Sequence, residues 1–550
     1  MIGLVTTTAA GRVAAAQLAA ALPDTREYDV RAIEDAFGEC DAVVSFLAVG
    51  ATVRLLAPLL QDKAVDPGVV VVDEAHRFAV ALVGGHGGGA NELAHRVADV
   101  LGATAVVTTA TDAVGLPGLD TLGWPVEGAV AAVSRAMLDG APVRLAADAT
   151  WPLPPLPVGA EGEHVLRVTD RLVDADDRTC VLRPPSLVLG LGASRGVGAE
   201  EVFALVGRAL ADAGLSPDCV VAVGTADAKA DEAGLVEACA RRGWSLTTFP
   251  AQRLAAVDVP NPSEQPRKAL GTPSVAEAAA LLLGDELVVE KTRSASATVA
   301  VARRRPRGRL ALVGLGPGAR DLLTPRAEAE LRRAAVWVGL DQYVDQVRDL
   351  ARPGTRLLVT GLGQEEERAH SAVAQAQRGL AVALLGSGDA GVYAMASPAL
   401  EVAGDDIDVV AVPGVTAALA ASSLLGAPLG HDHASISLSD LHTPWPAIEA
   451  RVRAVAEADL VVTFYNPRSR GRDWQLPRAV ELLLEHRPAR TPVGVVTDAS
   501  RPGERVELTT LGELDCGSVT MLACVVVGSS QSTVVAGRMV TPRGYRWAGA

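Results

Sequence analysis

Aromatic residues are scarce in this chain, with 6 Phe, 7 Trp and 5 Tyr among 550 residues. Proteins that bind single-stranded nucleic acid stack bases on such rings, so the shortage argues against that class. Acidic residues outnumber basic ones by 65 to 50, and the net charge is -15. This charge repels nucleic acid and anionic lipid over the surface as a whole. We therefore expect no nucleic-acid partner and no membrane partner, and an anionic ligand needs a local basic pocket.

Closely spaced cysteines are also lacking, because the six cysteines never occur as a CxxC pair. Neither a disulfide framework nor a thiolate metal site is indicated, and we expect buried thiols in a reducing cytoplasm. No apolar run reaches the ~18 residues of a membrane span. The N-terminus lacks the basic region of a signal peptide and favours a strand, a turn and a helix.

The length predicts about three or four domains, at roughly 100 to 200 residues each. Two segments read as linkers: WPLPPLPV at 151–158, whose prolines favour an extended chain, and the arginine-rich RRRPRGR at 303–309. Elsewhere short β-branched runs alternate with alanine- and leucine-rich helical patterns. This alternation predicts a multidomain α/β fold with parallel sheets covered on both faces.

Two helices are predicted in detail. After Asn91, apolar residues recur at helical spacing until Gly102, which supplies a C-terminal stop. A second helix is expected to begin at Thr324 and Pro325, an N-cap followed by proline at the first helical position. Both helices follow glycine-rich loops, where α/β proteins place their ligands.

The last third of the chain opens with LALVGLGPGARDLLTP, in which Gly314, Gly316 and Ala319 satisfy the GxGxxA pattern of dinucleotide sites. The chemistry disfavours a dinucleotide, because Pro317 has no N–H to offer a pyrophosphate and no acidic residue follows at the expected offset of ~20 residues. A nicotinamide-dependent oxidoreductase is therefore the weaker alternative for this region.

The same region continues with an ordered set of motifs. They are GSGDAGVYAM (386–395), PGVTA (413–417), GAPLGHDHASISLSDLHTPW (426–445), FYNPRSRGR (464–472), MLACVVVGSSQS (521–532) and TPRGY (541–545). With this set, residues 309–550 closely resemble the tetrapyrrole methylases of cobalamin biosynthesis, and specifically precorrin-3B C17-methyltransferase. The resemblance implies a two-lobed α/β methylase, usually a homodimer, that holds S-adenosylmethionine between its lobes and a corrinoid precursor beside it. The reaction it implies is methylation of precorrin-3B, or its cobalt analogue, at C17 with ring contraction to precorrin-4.

Cofactor residues follow from the resemblance position by position. They are Pro317, Ser387, Gly388, Asp389, Val392, Thr416, Ala417, Asn466 and Ala499. The motif GSGD also suits a sulfonium cation on physical grounds, because it offers a carboxylate and small residues that permit close backbone approach. Methyl transfer is an in-line displacement that asks chiefly for alignment and needs no metal.

A precorrin carries many carboxylates, which an acidic enzyme must bind with concentrated arginine. Arg468, Arg470 and Arg472 are the predicted substrate-binding residues, since guanidinium pairs with carboxylate in bidentate fashion. Asp440 and His442 share a predicted loop and are the candidate catalytic residues of the methylase. The pair of histidines in GHDH lacks a third ligand, so no metal site is predicted.

The N-terminal half carries a different signature. The stretch from 42 to 112 contains VVVVDEAHRFAVALVGGHGGGANELAHRV, and LVLGLGASRGVGAEEV follows at 187–202. These stretches look like the cobalt-precorrin-5A hydrolase family, which opens a lactone and releases a two-carbon fragment as acetaldehyde. The loop GGHGGGAN before a helix offers N–H groups suited to a carboxylate or an oxyanion. His86 is a candidate proton carrier, and Asn91 a candidate donor or N-cap.

These observations predict a bifunctional corrinoid-biosynthesis enzyme. The predicted parts are a hydrolase-like N-terminal domain (1–125), a middle or linker region (126–185), a hydrolase-like C-terminal domain (186–302) and a tetrapyrrole methylase (309–550). The alternative keeps the methylase active and makes the N-terminal half a non-catalytic scaffold.

Overall fold

The computed structural model describes residues 1–62, 65–85, 87–469 and 471–545. Contacts divide the chain into two compact units. The first unit comprises Met1–Thr150, Leu156–Pro306 and Arg352–Gly354, and the second comprises Trp151–Pro155, Arg307–Ala351 and the chain from Thr355 onward. Both units alternate strands and helices, so the predicted multidomain α/β class is confirmed.

The first unit begins with a six-stranded sheet. Its elements are β1 Ile2–Thr6, α1 Ala9–Ala21, β2 Thr25–Asp29, α2 Ile33–Glu39, β3 Ala42–Ser45, α3 Val49–Leu56, β4 Gly68–Val72, β5 Phe78–Val83, α4 Ala90–Leu101, β6 Thr104–Val106 and α5 Ala110–Ala113. The strand order is β2-β1-β3-β4-β5-β6. Helix α4 ends at Gly102 in the left-handed conformation (φ 66°), which confirms the predicted helix and its stop.

A four-stranded sheet follows in the segment that was expected to be a middle or linker region. Its elements are β7 Val126–Gly128, α6 Val130–Leu138, β8 Val143–Ala147, β9 His164–Val168 and β10 Thr179–Leu182, in the order β7-β10-β9-β8. The proline-rich stretch 151–158 lies between β8 and β9 and contains no helix or strand, as its composition predicts.

A five-stranded sheet completes the first unit. Its elements are β11 Leu187–Ala193, α7 Ala199–Asp212, β12 Val220–Ala226, α8 Ala233–Arg242, β13 Ser245–Phe249, α9 Ala251–Ala255, α10 Glu264–Leu270, α11 Ala276–Leu283, β14 Glu286–Arg293 and β15 Ala297–Arg303. The order is β13-β12-β11-β15-β14, so β14 is an edge strand. Helices α7 and α8 cover one face through residues such as Leu205 and Leu235, and α11 covers the other through Ala276 and Ala280.

The second unit has two lobes. The N-terminal lobe contains β16 Arg309–Gly314, α12 Pro325–Arg333, β17 Val336–Leu340, α13 Asp341–Val347, β18 Arg356–Thr360, α14 Glu365–Gln377, β19 Ala381–Gly386, α15 Ala396–Val402 and β20 Asp408–Val412. Its sheet, β18-β17-β19-β16-β20, is parallel throughout. Thr324 caps α12, with its Oγ1 accepting from the N–H of Ala327 at 3.1 Å, and Pro325 opens the helix, as predicted.

The C-terminal lobe contains α16 Ala417–Leu425, β21 Gly426–Ala427, β22 His433–Ser437, α17 Trp445–Glu457, β23 Val461–Tyr465, α18 Gln475–Leu484, β24 Pro492–Thr497, β25 Arg505–Thr510, β26 Ala523–Val527, β27 Thr533–Val535 and β28 Arg538–Val540. The main sheet is β22-β23-β26-β24-β25, and a small sheet is β21-β28-β27. Helices α17 and α18 pack on one face of the main sheet through residues such as Ile448 and Leu483, and α16 packs on the other through Ala421 and Leu425.

The prediction of parallel sheets is correct for the N-terminal lobe and wrong for the other large sheets, which are mixed. A tight turn explains the difference in the first sheet. The Asp73 carboxylate accepts from the N–H groups of Arg77 and Phe78, both at 2.7 Å. This turn reverses the chain, so β5 runs antiparallel to β4.

All six cysteines are free thiols, and five of them are buried. None of the helices in the described ranges combines the length and the hydropathy needed to cross a bilayer.

Candidate active site

Three glycine-containing loops meet at the carboxyl edge of the parallel sheet, where α/β folds place ligands. They follow β16 (GPG), β19 (GSGD) and β20 (PGVT). Gly316 and Gly388 exchange two backbone hydrogen bonds of 2.8 and 3.0 Å. A Cβ on Gly414 would lie 2.1 Å from the Gly388 carbonyl oxygen. Only glycine permits this approach, so the motifs are spaced to bring three backbones together.

The C-terminal lobe presents its own carboxyl edge to the same space. Strands β22 and β23 are parallel, and β24 runs in the same direction because both β23 and β24 pair antiparallel with β26. The residues just after β23 and β24 are Asn466 and Asp498, and both have positive φ (49° and 51°). Non-glycine residues adopt this conformation rarely, and such strain is concentrated at functional sites.

The two edges enclose a cleft of about 190 Å³. Its lining comes from both lobes and includes Pro317, Gln342, Tyr343, Ser387, Gly388, Val392, Tyr393, Thr416, Ala417, Tyr465, Asn466, Val496, Asp498, Ala499, Arg501, Met521, Leu522, Ala523 and Cys524. Most of these residues are small or apolar. Asp498 gives the cleft one acidic side chain, and Arg501 gives it one basic side chain.

Two tyrosines stand between this cleft and a larger chamber. The rings of Tyr393 and Tyr465 lie 5.1 Å apart, and both line the cleft and the chamber. Tyr465 is fixed by its hydroxyl, which lies 2.6 Å from Thr416 Oγ1 and accepts from the N–H of Ala418 at 2.8 Å. Tyr393 has a positive φ of 51° and donates to the Ser435 carbonyl at 2.8 Å. Hydrogen bonds therefore hold both tyrosines where the cleft meets the chamber, and we call this pair of residues the waist.

The chamber has a volume of about 590 Å³, within the range of ~300 to 1,000 Å³ of small-molecule sites. Leu419, Leu429 and Ala394 give it an apolar wall. His433 also lines a neighbouring surface pocket of about 380 Å³, together with His431 and Arg543. The chamber and this pocket share His433, and the pocket forms a rim that carries one guanidinium, Arg543, and one acidic side chain, Asp432.

Arg501 connects the two lobes. Its Nε donates to the Pro317 carbonyl at 2.6 Å, and its Nη2 donates to Ser387 Oγ at 2.9 Å. The stem packs against Gly318, where a Cβ would lie 2.5 Å from Arg501 Cγ. The loop that carries Arg501 is held by Glu504, which accepts from the N–H of Ser500 at 2.7 Å.

Burial governs the ionisable groups of the waist and the cleft. It raises the pKa of the Tyr465 and Tyr393 hydroxyls, which therefore remain neutral donors near neutral pH. Burial also raises the pKa of the Cys524 thiol to about 12. The thiol is therefore protonated and is not a nucleophile in this cleft.

The structure brings together eight of the nine predicted cofactor residues. Pro317, Ser387, Gly388, Val392, Thr416, Ala417, Asn466 and Ala499 all line the cleft. Asp389 does not line it, because its carboxylate accepts from the N–H groups of Gly391 at 2.8 Å and Gly414 at 3.0 Å. Asp389 thus ties two of the loops together, and the acid that lines the cleft is Asp498.

The predicted catalytic and substrate residues have other surroundings. Asp440 accepts from Gln475 Nε2 at 3.1 Å, His442 is exposed, and neither lines the cleft or the chamber.

Arg468 donates to the carbonyls of Cys516 and Gly517. Arg472 is buried and donates to the Asn466 carbonyl at 2.8 Å, and burial lowers its pKa. Both arginines support the fold of neighbouring loops, and their predicted role toward substrate is not tested by these contacts. Arg470 lies outside the described residues.

In the first unit, Asn91 is the second residue of α4, and Gly89 (φ 73°) takes the N-cap position. The N-cap alternative is therefore wrong. Asn91 Nδ2 donates to Thr109 Oγ1 at 2.9 Å, so its side chain links α4 to the chain after β6. His86, the other candidate residue here, lies outside the described residues.

Within the ranges that the structure describes, no cluster of three His, Cys, Asp or Glu side chains is arranged to hold a metal ion.

Sequence reasoning did not assign Tyr393, Tyr465 and Asp498 to the site. Tyr393 and Tyr465 lie inside motifs quoted for the resemblance, and Asp498 is three residues before Arg501. Tyr465 and Asp498 lie at or just after strand ends on the ligand-binding edge, and Tyr393 lies in the loop between β19 and α15.

Family models match three parts of the chain. Residues 309–515 match the Tetrapyrrole (Corrin/Porphyrin) Methylases. Residues 187–302 match the Cobalamin synthesis G C-terminus, and residues 31–112 match the Cobalamin synthesis G N-terminal model.

Among curated relatives, a probable cobalt-factor III C(17)-methyltransferase of Salmonella typhimurium is 48% identical over 240 residues, covering 43% of this chain and 99% of the relative. A precorrin-3B C(17)-methyltransferase of Sinorhizobium sp is 38% identical over 234 residues, covering 42% and 91%. A cobalt-factor III methyltransferase of Priestia megaterium is 41% identical over 249 residues, and the match spans 44% of this chain and 46% of that relative. Among solved structures, that of the methyltransferase CobJ is 35% identical, with a TM-score of 0.41, and covers 43% of this chain and 100% of that one.

Proposed function

The chain belongs to the tetrapyrrole (corrin/porphyrin) methylases, and from this premise we propose that its second unit transfers a methyl group from S-adenosylmethionine to a corrinoid precursor of cobalamin biosynthesis. The substrate we propose is precorrin-3B or its cobalt analogue, methylated at C17 with ring contraction. The supporting observation is that the cleft and the chamber are adjacent, because Tyr393 and Tyr465 line both. The donor would lie in the cleft and the macrocycle in the adjoining chamber, with the two tyrosines in contact with both.

The cleft fits a donor with a cationic sulfonium. Asp498 supplies a negative charge, and Ser387, Gly388 and Ala417 are small enough for close backbone approach. When bound, S-adenosylmethionine supplies the electrophilic methyl group. The residues of the chain orient the reactants and exclude water, which accounts for much of the catalysis of an in-line displacement.

The chamber fits a large ring with charged side arms. The apolar wall of Leu419 and Leu429 suits the ring, and the rim with Arg543 suits a carboxylate arm. Tyr393 and Tyr465 line both compartments, so the donor in the cleft would face the macrocycle in the chamber beside them.

Calorimetry with S-adenosylhomocysteine tests the donor site on the intact chain. We expect binding at one site per chain, and Asp498→Asn should weaken it. Mass spectrometry should then show one added methyl group on precorrin-3B or on cobalt-factor III. Absence of binding by a folded sample would refute the methylase assignment, whereas binding without methylation would refute the substrate.

We also propose that the first unit is a cobalt-precorrin-5A hydrolase, which rests on the two cobalamin synthesis G matches. The test is release of acetaldehyde from cobalt-precorrin-5A by the intact chain. Full methyl transfer without any acetaldehyde would contradict the hydrolase and leave the scaffold role.

Two further proposals concern assembly and location. We propose a homodimer, with exposed Val534 and Val535 on the short strand β27 as part of its contact surface. Sedimentation should then give twice the chain mass, and Val535→Asp should shift the measured mass to that of one chain. A monomeric wild-type chain would exclude the dimer.

We place the protein in the cytoplasm because its six thiols remain unpaired.

A further inference from the structure

Lysine is rare in this chain. Only four of its 50 basic residues are lysines, at positions 63, 229, 268 and 291. Lys229 forms an ion pair with Glu232 at 2.9 Å, Lys268 is exposed on α10, and Lys63 lies outside the described residues. Lys291 lies on the edge strand β14 and, like Lys229, is partly buried, but among the described ion pairs none includes it. An amine differs from a guanidinium in that its pKa shifts readily on burial.

The strand that carries Lys291 is interrupted at this position. In the ladder between β14 and β15, Val289 pairs with Val301 and Thr292 pairs with Val299. Glu290 and Lys291 therefore face a single residue of β15, which is a β-bulge. Bulges re-aim side chains and are over-represented beside active sites. The N–H of Lys291 consequently leaves the ladder and donates to Glu277 Oε1 at 3.2 Å.

Glu277 is fully buried at the start of α11. Its carboxylate accepts from the N–H of Asn261 at 3.2 Å and from Asn261 Nδ2 at 2.8 Å, in addition to the Lys291 N–H. Within the described residues no cation forms an ion pair with it. A buried carboxylate is unfavourable unless hydrogen bonds compensate it. The hydrogen bonds of the Glu277 carboxyl group thus hold Asn261 and the bulge in place.

Asn261 in turn fixes the amine, because Lys291 Nζ donates to its carbonyl oxygen. In the part of the chain that the structure describes, Lys291 Nζ forms no ion pair, although Glu290 is its sequence neighbour. An ammonium has three donors, so two remain for a ligand on a side chain that is partly exposed. Burial lowers the pKa of Lys291, with Glu277 opposing this change and Arg293 adding to it.

We propose that Lys291, held by Asn261 and Glu277, is a catalytic residue of the first unit that binds the carbonyl oxygen of a lactone on the macrocycle. The inference rests on the proposed hydrolase function and assigns it a residue outside the glycine loop of residues 84–89. A ligand of this class has a polar oxygen that gains negative charge during reaction, and a hydrogen bond from the amine of Lys291 stabilises that charge.

The chemical step is hydrolysis of an ester within a ring. Water adds to the lactone carbonyl carbon, negative charge develops on the carbonyl oxygen, and Lys291 donates a hydrogen bond to that oxygen. The acyl C–O bond then breaks, the ring oxygen takes a proton, and the products are a carboxylic acid and an alcohol. Acetaldehyde leaves when the bond between the alcohol carbon and the macrocycle breaks and the macrocycle carbon takes the hydroxyl proton. Water is the only co-reactant, and nothing is oxidised or reduced. An amine with a lowered pKa is the stronger acid and the better donor for this step.

Variants of the intact chain test the role of the amine. We expect Lys291→Met and Lys291→Arg to reduce acetaldehyde release from cobalt-precorrin-5A by about 100-fold or more, with methyl transfer in the second unit unchanged. Lys268→Met is the matched control and should be as active as the wild type. Lys291→Arg keeps the charge and the stem, so wild-type hydrolysis by a folded Lys291→Arg chain would overturn the proposal.

Chemical labelling gives a readout that does not depend on turnover. With only four lysines, acetylation by trace acetic anhydride can be followed at each one by mass spectrometry as the pH is raised. We expect Lys291 to be acetylated at lower pH than Lys268 and to be protected by cobalt-precorrin-5A. Protection without acetaldehyde release by the wild type would refute the hydrolase while supporting the ligand site. Labelling of Lys291 that matches Lys268 and is unaffected by the macrocycle would overturn the site.

Discussion

The guanidinium of Arg501 in the cleft forms hydrogen bonds with residues that are distant in sequence. It donates to Pro317, 184 positions away, and to Ser387, 114 positions away. Hydrogen bonds from a charged donor are stronger than neutral ones. Arg501 therefore holds two N-terminal-lobe loops against the C-terminal lobe, at the separation that the cleft needs.

Replacing Arg501 should weaken donor binding more than it weakens the fold. We expect Arg501→Ala to reduce the affinity for S-adenosylhomocysteine about tenfold or more, because two charged hydrogen bonds are lost. Arg501→Lys should recover part of this loss through one remaining donor. Calorimetry measures both, and Arg505→Ala, an exposed arginine on the same segment, is the control. Equal effects of the Arg501 and Arg505 variants would exclude the lobe contact as the cause.

The buried thiols predict how stability depends on alkaline pH. Burial raises the pKa of Cys180, Cys219 and Cys524 to about 12 and that of Cys239 to about 11, from an ordinary 9.0. Above about pH 9 the unfolded chain loses these protons and the folded chain keeps them, so the free energy of unfolding falls as pH rises toward about 12. Each thiol contributes at most about 1.4 kcal/mol per pH unit in this window.

Thermal unfolding between about pH 8 and 11 measures this effect, in a window set by the raised thiol pKa values. We expect Cys180→Ala to make the decline of stability with pH shallower than in the wild type. The cavity that the substitution leaves lowers stability by a similar amount at every pH, so the slope separates the two effects. An unchanged slope would contradict burial of a protonated thiol at this position.

At the scale of single residues, the sequence indicates which positions follow strand ends, and it does not indicate the partners of side chains. The glycine-rich loops place Ser387, Gly388 and Thr416 in the cleft because their positions follow strand ends. The sequence did not predict the contacts of Asp389, Asn91 and the arginines at 468 and 472, whose side chains are engaged by partners distant in sequence or by backbone. Such partners are set by tertiary packing, which local spacing does not encode.

At the scale of elements, the crossing of three loops depends on Gly414. A Cβ there would lie 2.1 Å from the Gly388 carbonyl oxygen and 2.8 Å from the Gly314 backbone, and backbone atoms cannot move aside as flexible side chains do. The predicted helices α4 and α12 are correct because caps and stops are local signals. Strand direction was wrong where a turn such as Asp73–Arg77 reverses the chain.

Gly414→Ala should therefore disrupt the loops on which the cleft is built. We expect the unfolding midpoint of the second unit to fall by about 5 °C or more, from a steric penalty of a few kcal/mol. Affinity for S-adenosylhomocysteine should fall as well. Gly361→Ala is the matched control, because the nearest atom to its Cβ is the end of the Gln364 side chain at 3.4 Å. A Gly414→Ala chain as stable as the control would contradict the close approach.

At the scale of the whole molecule, each unit anchors its own end of the arginine-rich segment. In the first unit, Arg303 forms an ion pair with the buried Asp170 at 2.7 Å. In the second, Arg307 forms one with Asp408 at 2.8 Å. The sequence suggested a solvated linker, but composition alone does not show which carboxylates pair with the arginines. We propose that the four-part division of the chain follows its sheets, since residues 126–185 build a sheet of their own.

Two compact units with separate sites should respond separately to ligands. A ligand that binds only the folded second unit stabilises that unit, by about 2.7 kcal/mol at a concentration of 100 times its Kd. For a unit of this size the midpoint then rises by about 5 to 10 °C. Differential scanning calorimetry with S-adenosylhomocysteine should move one of two transitions and leave the other in place.

The Arg501→Ala chain is the control for that experiment, because weaker binding should make the shift smaller at the same ligand concentration. Lys291→Met should leave the ligand-induced shift at its wild-type size, since Lys291 belongs to the first unit. If S-adenosylhomocysteine moved both transitions equally, the units would unfold as one cooperative body. Variants in one unit would then be expected to change activity in the other, which contradicts the independence on which the two assigned activities rest.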